Sequence, residues 1–350
     1  MNAKLMEKFR LICGIDVSKS SLATATLRDG KLLARKTYPN NAAGIEMLYQ
    51  FLIDQQKDPS QILVVMEHTG VYIEKLTLAF QDTGLFIWVV NAIMIKYARV
   101  NFERLKTDPV DALKIAQFGE MMQKKAKQYQ PLNAQETQIR DLYRLRGQLV
   151  KLRQQIKNFA AANLDKAIPC PLSQSMWKGL EKRLNQMIKQ VENELKSLCQ
   201  QDKQIKRTHQ ILRSIPGIGP VSAWQLIYTT HHFRRFDSYK QFASYAGIAP
   251  FEFQSGSSIK RKPRVSKKAA AQIKTNLTLA ALRQTQKKMV FHQYYQYMKE
   301  QKHKHHLWII NSIRNMIIKL AFVLVKKDQL FDLDTFLINK KSWQKSLTLS

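Results

Sequence analysis

The sequence predicts an α/β N-terminal domain with a mixed sheet, an α-helical coiled-coil connector and a mainly α-helical C-terminal domain. Short apolar segments fill the N-terminal part, apolar residues recur at heptad spacing in the middle, and helix-period segments predominate after residue 206. A chain of 350 residues with 45% hydrophobic content is long enough for two cores. The expected divisions are 8–125, 132–206 and 207–330, with a weakly ordered tail at 331–350.

The predicted N-terminal domain begins with three strand-like segments around a turn at Asp29-Gly30. Helices and strands then alternate. In chain order, the predicted elements are strands at Leu11–Val17, Leu22–Leu27 and Leu32–Thr37, a helix at Ala42–Ile53, a strand at Ile62–Met66, a helix at Val71–Phe80 and a strand at Phe86–Val90. Antiparallel hairpins that lead into alternating strands and helices favour a mixed sheet.

The predicted connector has two amphipathic stretches separated by a break at Ile168-Pro-Cys-Pro171. The first carries its seam on Leu142, Leu149 and Ile156 and on Leu145, Leu152 and Phe159, and the second carries it on Leu184, Val191, Leu198 and Ile205. Seven-residue spacing is typical of a coiled coil. The spacing leaves open whether the stretches form an antiparallel hairpin or part of a dimer interface.

The chain carries a large positive charge. It has 57 Lys and Arg against 26 Asp and Glu, a formal net charge of +31 and a pI near 10.1. Residues 201–300 hold 18 basic and 4 acidic side chains, and residues 253–299 contain no acid. Such clustering favours a surface that follows nucleic-acid phosphates over a merely lysine-rich, solvated one.

Cysteine usage and hydropathy indicate a reducing compartment. Cys13, Cys170 and Cys199 are far apart and odd in number, so we expect reduced packing residues and no zinc site. The N-terminus has no apolar run of signal-peptide length, and Met316–Val325 is interrupted by Lys319 and too short to span a bilayer. We expect a cytoplasmic protein without a membrane partner.

Two acids stand at the ends of apolar strands. Asp16 ends the first strand, in Gly14-Ile-Asp-Val-Ser-Lys19, and Glu67 ends the fourth, in Val65-Met-Glu-His-Thr-Gly70. If these strands are neighbours, both carboxylates project into one cleft, where oxygen ligands bind hard cations such as Mg²⁺.

A third acidic element opens a helix that we expect to run to about Phe118. Asp108 and Asp111, in Lys106-Thr-Asp-Pro-Val-Asp-Ala112, share one helix face. Asp at N-cap, Pro at N1 and Asp at N3 are also an ordinary helix start and need no metal. Four acids at strand ends and a helix start together favour a phosphoryl-transfer site in which two Mg²⁺ ions lie roughly 3.5–4 Å apart.

Histidines give weaker signals. His68 is either an auxiliary proton carrier or, as its pattern favours, a polar loop residue. His303, His305 and His306 suggest metal binding, but the lysines between them favour the start of a basic amphipathic helix.

The basic half contains a turn, Pro216-Gly-Ile-Gly219, between two helix-period segments. It resembles a helix-hairpin-helix, in which Gly217 and Gly219 would let backbone N–H groups approach a phosphate. A tight interhelical turn that touches no ligand fits the same residues.

A serine next to a glycine follows, at Ser255-Gly256. It precedes a basic run, and such a serine could attack phosphorus and form a covalent phosphoserine link. The basic run consists of Lys260, Arg261, Lys262, Arg264, Lys267 and Lys268. The pattern alone also fits a solvated loop, because no base is placed beside the serine, and Ser257 and Ser258 are nearby alternatives.

The order of these motifs resembles the DEDD transposases of the IS-one-ten insertion-sequence family, relatives of the Piv DNA invertase, over nearly the whole chain. The motifs that carry the resemblance are Gly14-Ile-Asp-Val-Ser-Lys19, Glu67-His-Thr-Gly70, Lys106-Thr-Asp-Pro-Val-Asp-Ala112, Pro216-Gly-Ile-Gly219 and Gly247-Ile-Ala-Pro250 followed by Ser255-Gly256.

The resemblance implies a RuvC-like ribonuclease-H domain with its acidic tetrad on Asp16, Glu67, Asp108 and Asp111 and a catalytic serine on Ser255. It implies an Mg²⁺-dependent enzyme that cuts and rejoins DNA at element ends and targets. It also implies a homodimer or homotetramer with a composite site, and in some members a structured guide RNA.

Two other functions fit the residues. A junction-resolving endonuclease would use the carboxylates and need no serine. A basic protein that packages DNA or RNA would use the acids only as caps and turns, and its binding would depend steeply on salt and not on Mg²⁺.

Overall fold

The computed structural model describes residues 9–97, 108–255, 259–265 and 271–333. The chain divides into two compact units, Met1–Pro131 and Leu132–Ser350. The separate status expected for 132–206 stays a prediction, and the predicted tail lies outside the described residues from residue 334 onward.

The first unit contains a five-stranded mixed sheet, as predicted. Its elements are β1 (Leu11–Val17), β2 (Ser21–Arg28), β3 (Lys31–Pro39), α1 (Ala42–Gln55), β4 (Ile62–Glu67), α2 (Glu74–Ala79), β5 (Phe86–Val90), α3 (Ala92–Tyr97) and α4 (Asp108–Met122). The strand order is β3-β2-β1-β4-β5. The hairpin strands β1–β3 are antiparallel, whereas β4 pairs parallel with both β1 and β5.

Most predicted boundaries in this unit hold within two residues, and two differ for local reasons. The helix expected at Val71–Phe80 is divided, because Gly70 has φ +68 and a 3₁₀ turn at Gly70–Ile73 precedes α2. α4 continues past Phe118 to Met122, since Phe118 is buried and the apolar packing extends beyond it.

The two faces of the sheet have separate cores. Odd-numbered β1 residues such as Cys13 and Ile15 pack in a cluster with α1 and α2 residues such as Leu48 and Leu76. Even-numbered Ile12 packs on the other face with α4. The period-two alternation of β1 therefore assigns Asp16 to the α4 face.

The second unit is mainly helical, as predicted. Its elements are α5 (Ala134–Leu164), α6 (Pro171–Gln201), α7 (Lys203–Ser214), α8 (Pro220–Thr230), α9 (Tyr239–Tyr245), β6 (Pro250–Ser255), β7 (Ile259–Val265), α10 (Ala271–Gln284), α11 (His292–Glu300) and α12 (His306–Lys327). The hairpin of β6 and β7 was not predicted, because its strands are short and rich in charge, which hides their alternation.

The two connector stretches form an antiparallel helical hairpin, one of the two arrangements that the spacing left open. Arg146 contacts Glu192 at 2.7 Å, and Lys157 contacts Glu181 at 3.3 Å, so α5 and α6 run in opposite directions. The heptad run does not continue to Ile205. α6 ends at Gln201, and the Asp202 side chain accepts a hydrogen bond from the Ile205 backbone N–H to begin α7.

α12 is long and apolar because it is a core helix of this unit. Nine of its residues are buried, among them Ile313 and Ile317. Of the described helices, α12 has the length and composition to cross a membrane, with half of the apolar window buried inside the protein. Of the cysteines, Cys13 and Cys199 are buried as expected, but Cys170 is exposed because it lies at the N-cap of α6.

Candidate functional site

Asp16 and Glu67 lie side by side at the carboxyl edge of two parallel strands. The β1–β4 register pairs Gly14 with Val65 and Ile15 with Met66, so Asp16 and Glu67 follow as the next positions in the same register. Neighbouring strands are about 4.8 Å apart, and residues in register project to the same face. Both acids are half-buried, whereas the strand residues before them are buried.

Helix α4 covers this face at very short range. A β-carbon added to Gly14 would lie 2.3 Å from the Ala116 backbone nitrogen and 2.4 Å from the Ala112 oxygen. At the other end of the helix, a β-carbon added to Gly119 would lie 2.6 Å from Val65 Cγ2 and 3.2 Å from Ile12 Cγ2. α4 therefore runs antiparallel to β1, and its N-terminus lies at the end of the strand that carries Asp16.

Asp111 is at the sheet-facing side of α4. It precedes buried Ala112, Ile115 and Ala116, with Ile115 one helical turn further along the same face. The Asp111 carboxylate binds Lys114 Nζ at 3.0 Å, and its side chain is 30% exposed. Asp108 begins the helix, but its side chain lies outside the described residues.

Three predicted carboxylates, Asp16, Glu67 and Asp111, are thus on elements that meet at one end of the sheet. Within the described part of the chain, no group of three or more His, Cys, Asp or Glu residues is close enough to hold a metal ion. The oxygens of the half-buried carboxylates at this edge are hard ligands of the kind that Mg²⁺ prefers.

Asn40, which sequence reasoning missed, ties together the loops beside these acids. Its Nδ2 donates to the Ser18 carbonyl at 2.8 Å and to the Tyr72 carbonyl at 3.1 Å. The first carbonyl follows β1 and the second follows β4. Asn40 directly after a strand carries no sequence signal for this role, because both acceptors are backbone groups.

His68 has the loop role that its pattern favours. It is exposed, and its Nδ1 accepts a hydrogen bond from the Gly70 backbone N–H at 3.4 Å.

The two glycines of the α7–α8 turn have different surroundings. Gly217 has φ +91, and a β-carbon there would lie 2.7 Å from Gln284 Nε2 and 2.9 Å from the Ala280 oxygen, so packing against α10 explains this glycine. Gly219 is the N-cap of α8 and has nothing within 4 Å of its added β-carbon. The exposed Arg213 donates from Nη1 to the Ile218 carbonyl and places a cation beside the turn.

Ser255 is the last residue of β6, and its backbone pairs with Ile259 of β7. The same register pairs Gln254 with Lys260, Phe253 with Arg261 and Phe251 with Arg264. Lys262 lies on β7 as well. The side chains of residues 251–264, together with Lys267 and Lys268, lie outside the described residues.

The segment that leads into β6 is held by α12. Asn311 Nδ2 donates to the Ile248 carbonyl at 2.9 Å, and Asn315 Nδ2 donates to the same oxygen at 3.4 Å. Arg314 Nη1 in turn donates to Asn311 Oδ1 at 3.2 Å. Sequence reasoning missed these asparagines, because only the fold brings α12 to the Gly247-Ile-Ala-Pro250 segment.

The histidines before α12 have the local roles favoured for them. His305 is the N-cap of α12, and its Nδ1 accepts from the Leu307 backbone N–H. His306 Nδ1 lies 2.9 Å from the Tyr295 hydroxyl.

The chain matches two models that describe transposases of one family. A DEDD-type transposase model for IS110 elements matches residues 13–169, and the model described as "Transposase IS116/IS110/IS902 family" matches residues 209–296.

Two curated relatives are similar over nearly their whole length. The pilin gene-inverting proteins of Moraxella bovis and Moraxella lacunata are each 24% identical over 331 residues, which covers 91% of this chain and 97% of the relative.

Solved structures similar to part of this chain include two of Thermus thermophilus RuvC, one of them in complex with a Holliday junction substrate. Each covers 34% of this chain and 99% of the RuvC chain at 14% identity, with a TM-score of 0.28.

Proposed function

Since the chain belongs to the IS116/IS110/IS902 family of transposases, we propose that it cuts and rejoins DNA with metal-bound carboxylates and a serine nucleophile. It is a DNA-recombining enzyme by its family and by its similarity to the pilin gene-inverting proteins. The proposal assigns Asp16, Glu67, Asp108 and Asp111 to metal binding and Ser255 to nucleophilic attack.

One observation carries the metal assignment: Asp16 and Glu67 lie in adjacent register at the edge that the N-terminus of α4 covers. Carboxylates grouped at a half-buried edge repel one another, and a divalent cation removes that repulsion. Lys114 partly supplies this compensation at Asp111. We assign the first unit to the RuvC-like ribonuclease-H class on the same strand order and acid positions.

The residues present suit Mg²⁺. Two ions held by Asp16, Glu67, Asp108 and Asp111 would supply Lewis-acid stabilisation of the attacking and leaving oxygens. The chain's own contribution is positional: Asn40 holds the loops after β1 and β4, and α4 fixes Asp111 against the sheet.

The Ser255 oxygen is proposed to attack phosphorus and displace a deoxyribose oxygen; the serine hydroxyl loses its proton, and the leaving oxygen gains one and departs as a hydroxyl. A phosphoserine ester replaces the broken phosphodiester bond. A DNA hydroxyl can then attack this ester and rejoin the strand without an external energy source. The basic residues of β7, with Lys267 and Lys268, are proposed to bind the phosphates. Gly219 and Arg213 at the α7–α8 turn are proposed as a second phosphate contact.

An assembly of two or more chains is proposed through the helical hairpin. Its antiparallel contacts bury Leu149 but leave Leu145, Leu152 and Phe159 exposed, together with Met176 and Leu180 of α6. An apolar stripe of this length is typical of an interface. The carboxylates and the serine belong to different units of the chain, which is compatible with the composite site implied by the family resemblance.

A structured guide RNA is proposed as a further partner, and the nucleoid in the cytoplasm as the place of action. The net charge of +31 supports both, since it exceeds what solubility requires.

The carboxylate assignment is tested by cleavage of supercoiled plasmid that carries the element ends. We expect cleavage in Mg²⁺, none in EDTA, and a loss of at least about 100-fold in Asp16→Asn and Glu67→Gln, the size of a lost transition-state contact. Asp54→Asn, at an exposed acid of α1, is the matched control. Full activity of Asp16→Asn would overturn the assignment.

A further inference from the structure

We propose that the corner between α11 and α12, residues 295–308, is a stacking platform for the unpaired bases of single-stranded DNA. We call it the aromatic corner. The inference rests on the proposed function in one respect, namely that strand cutting and rejoining supplies unpaired DNA.

Two large aromatic side chains are exposed in the aromatic corner. Trp308, in the first turn of α12, is 50% exposed, and Tyr297 of α11 is 49% exposed. Every residue from 301 to 308 is exposed, so bases can reach these side chains. Trp and Tyr rings carry a flat apolar face that a stacked base can cover.

Each ring has an ammonium group over one of its two faces. Lys304 Nζ lies 5.7 Å from the Trp308 ring centroid, and Lys302 Nζ lies 5.7 Å from that of Tyr297. Lys299 Nζ is 6.0 Å from the Tyr295 ring. A base stacked on the opposite ring face and a phosphate on the ammonium would use both parts of such a pair.

The charge of this segment is suited to a polyanion. Between residues 253 and 327 the sequence contains a single acid, Glu300. His305 Nδ1 accepts the Leu307 N–H, so the proton of the neutral ring is on Nε2. That nitrogen and the N-terminal end of the 22-residue α12 both attract phosphate oxygens.

Aromatic faces select unpaired bases over a duplex, since the bases of a duplex are already stacked. Stacking on these rings is also independent of the DNA sequence, because every base has a π-face. These properties suit the free strands of a DNA-recombining enzyme. DNA is therefore the expected occupant.

The test is fluorescence anisotropy in EDTA, so that no cleavage occurs. The probes are labelled oligothymidylate, an oligomer of equal length made of abasic sites, and a duplex. Trp308→Ala should weaken oligothymidylate binding about 5- to 150-fold, the size expected for one lost base stack, and leave abasic binding within about two-fold. Trp308→Phe should restore most of the affinity.

Leu307→Ala is the matched control, because Leu307 is 62% exposed in the same turn and has no π-face. Lys304→Gln should reduce the salt dependence of single-strand binding by about 0.7 in the log–log slope. Thermal unfolding of each variant establishes that the fold is kept.

Equal losses for oligothymidylate and abasic probes, or for Leu307→Ala and Trp308→Ala, would overturn the stacking platform. Tighter binding of oligouridylate RNA through the same residues would overturn the assignment to DNA. A change of sedimentation in Trp308→Ala with unchanged binding would identify the corner as a subunit contact. Cleavage by the variants is measured in a separate assay. If the carboxylate–serine mechanism fails there, the binding data still test the stacking platform.

Discussion

Gly14 of β1 and Ala116 of α4 are in backbone contact: a β-carbon on Gly14 would lie 2.3 Å from the Ala116 nitrogen. The contact is two residues before Asp16 on the same face of the sheet. The distance between the strand acid and the helix acids thus depends on a residue without a side chain.

Gly14→Ala should push α4 away from β1. We expect a loss of about 1–3 kcal/mol in the free energy of unfolding, as for other overpacked sites, and a loss of about 100-fold in DNA cleavage from displaced ligands. Urea unfolding and plasmid cleavage measure the two effects. Gly179→Ala on α6, where nothing lies within 4 Å, is the control and should stabilise the helix by about 0.5–1 kcal/mol. Unchanged cleavage in Gly14→Ala would contradict the proposed site.

Asn311→Ala should remove the shorter of the two hydrogen bonds to the Ile248 carbonyl, leaving only the 3.4 Å bond from Asn315, and so loosen the entry to β6. We expect about 1 kcal/mol of lost stability but a much larger, at least tenfold, loss of strand joining. Ser312→Ala is the matched control. It removes the 2.9 Å hydrogen bond between Ser312 of the same helix and Tyr294, and it leaves the hydrogen bonds to the Ile248 carbonyl unchanged. Equal activity of the two variants would show that α12 does not position the serine segment.

The exposed apolar residues of the α5–α6 hairpin, which we call the exposed seam, should form the contact between chains. The double variant Leu152→Gln and Phe159→Gln should shift sedimentation toward the monomer with little change in melting temperature, since both side chains are exposed within one chain. Met47→Gln, at an exposed apolar residue of α1, should change neither property. A monomeric wild-type protein at the concentrations used for recombination would refute the seam as an interface.

Stability should fall on mild acidification because of His231. Burial, with Arg235 and Arg234 nearby, lowers the pKa of His231 from 6.5 to about 4. The unfolded chain therefore binds a proton near pH 6.5 that the folded chain takes up only near pH 4, so stability present above pH 6.5 is lost toward pH 4. Between pH 7 and pH 5 the loss should be about 2 kcal/mol.

His231→Asn is the test of this effect. Asn tolerates the positive φ of 47 at this position and does not titrate. Urea unfolding at pH 7 and pH 5 should show a smaller pH-dependent loss in the variant. The same loss in variant and wild type would assign the acid sensitivity to His232 and His209, whose pKa values burial also lowers.

The sequence was most informative where local pattern determines structure. The apolar run at Leu11–Val17 predicted a strand and the helix-period stretch from Ala42 predicted a helix start, both at the observed residues. Strand neighbours are not encoded locally, so the pairing of β1 with β4 depended on a topological expectation.

Contacts between distant backbone groups could not be predicted. Asn40 and Asn311 bind carbonyls that any residue carries, so no pattern marks their partners. The end of α6 at Gln201 was missed for a related reason, since heptad spacing continues across the Asp202 cap. The β6–β7 hairpin is short and rich in charge, which hides its alternation.

The account's central claim is most directly tested by looking for a covalent protein–DNA adduct. Wild-type protein is incubated with Mg²⁺, element-end plasmid and RNA transcribed from the element, and is then denatured. We expect an adduct that mass spectrometry maps to Ser255 and that disappears in both Ser255→Ala and Asp16→Asn. Cleavage by Ser255→Ala at the wild-type rate, with no adduct in the wild type, would contradict the claim and indicate a nuclease that uses the carboxylates alone.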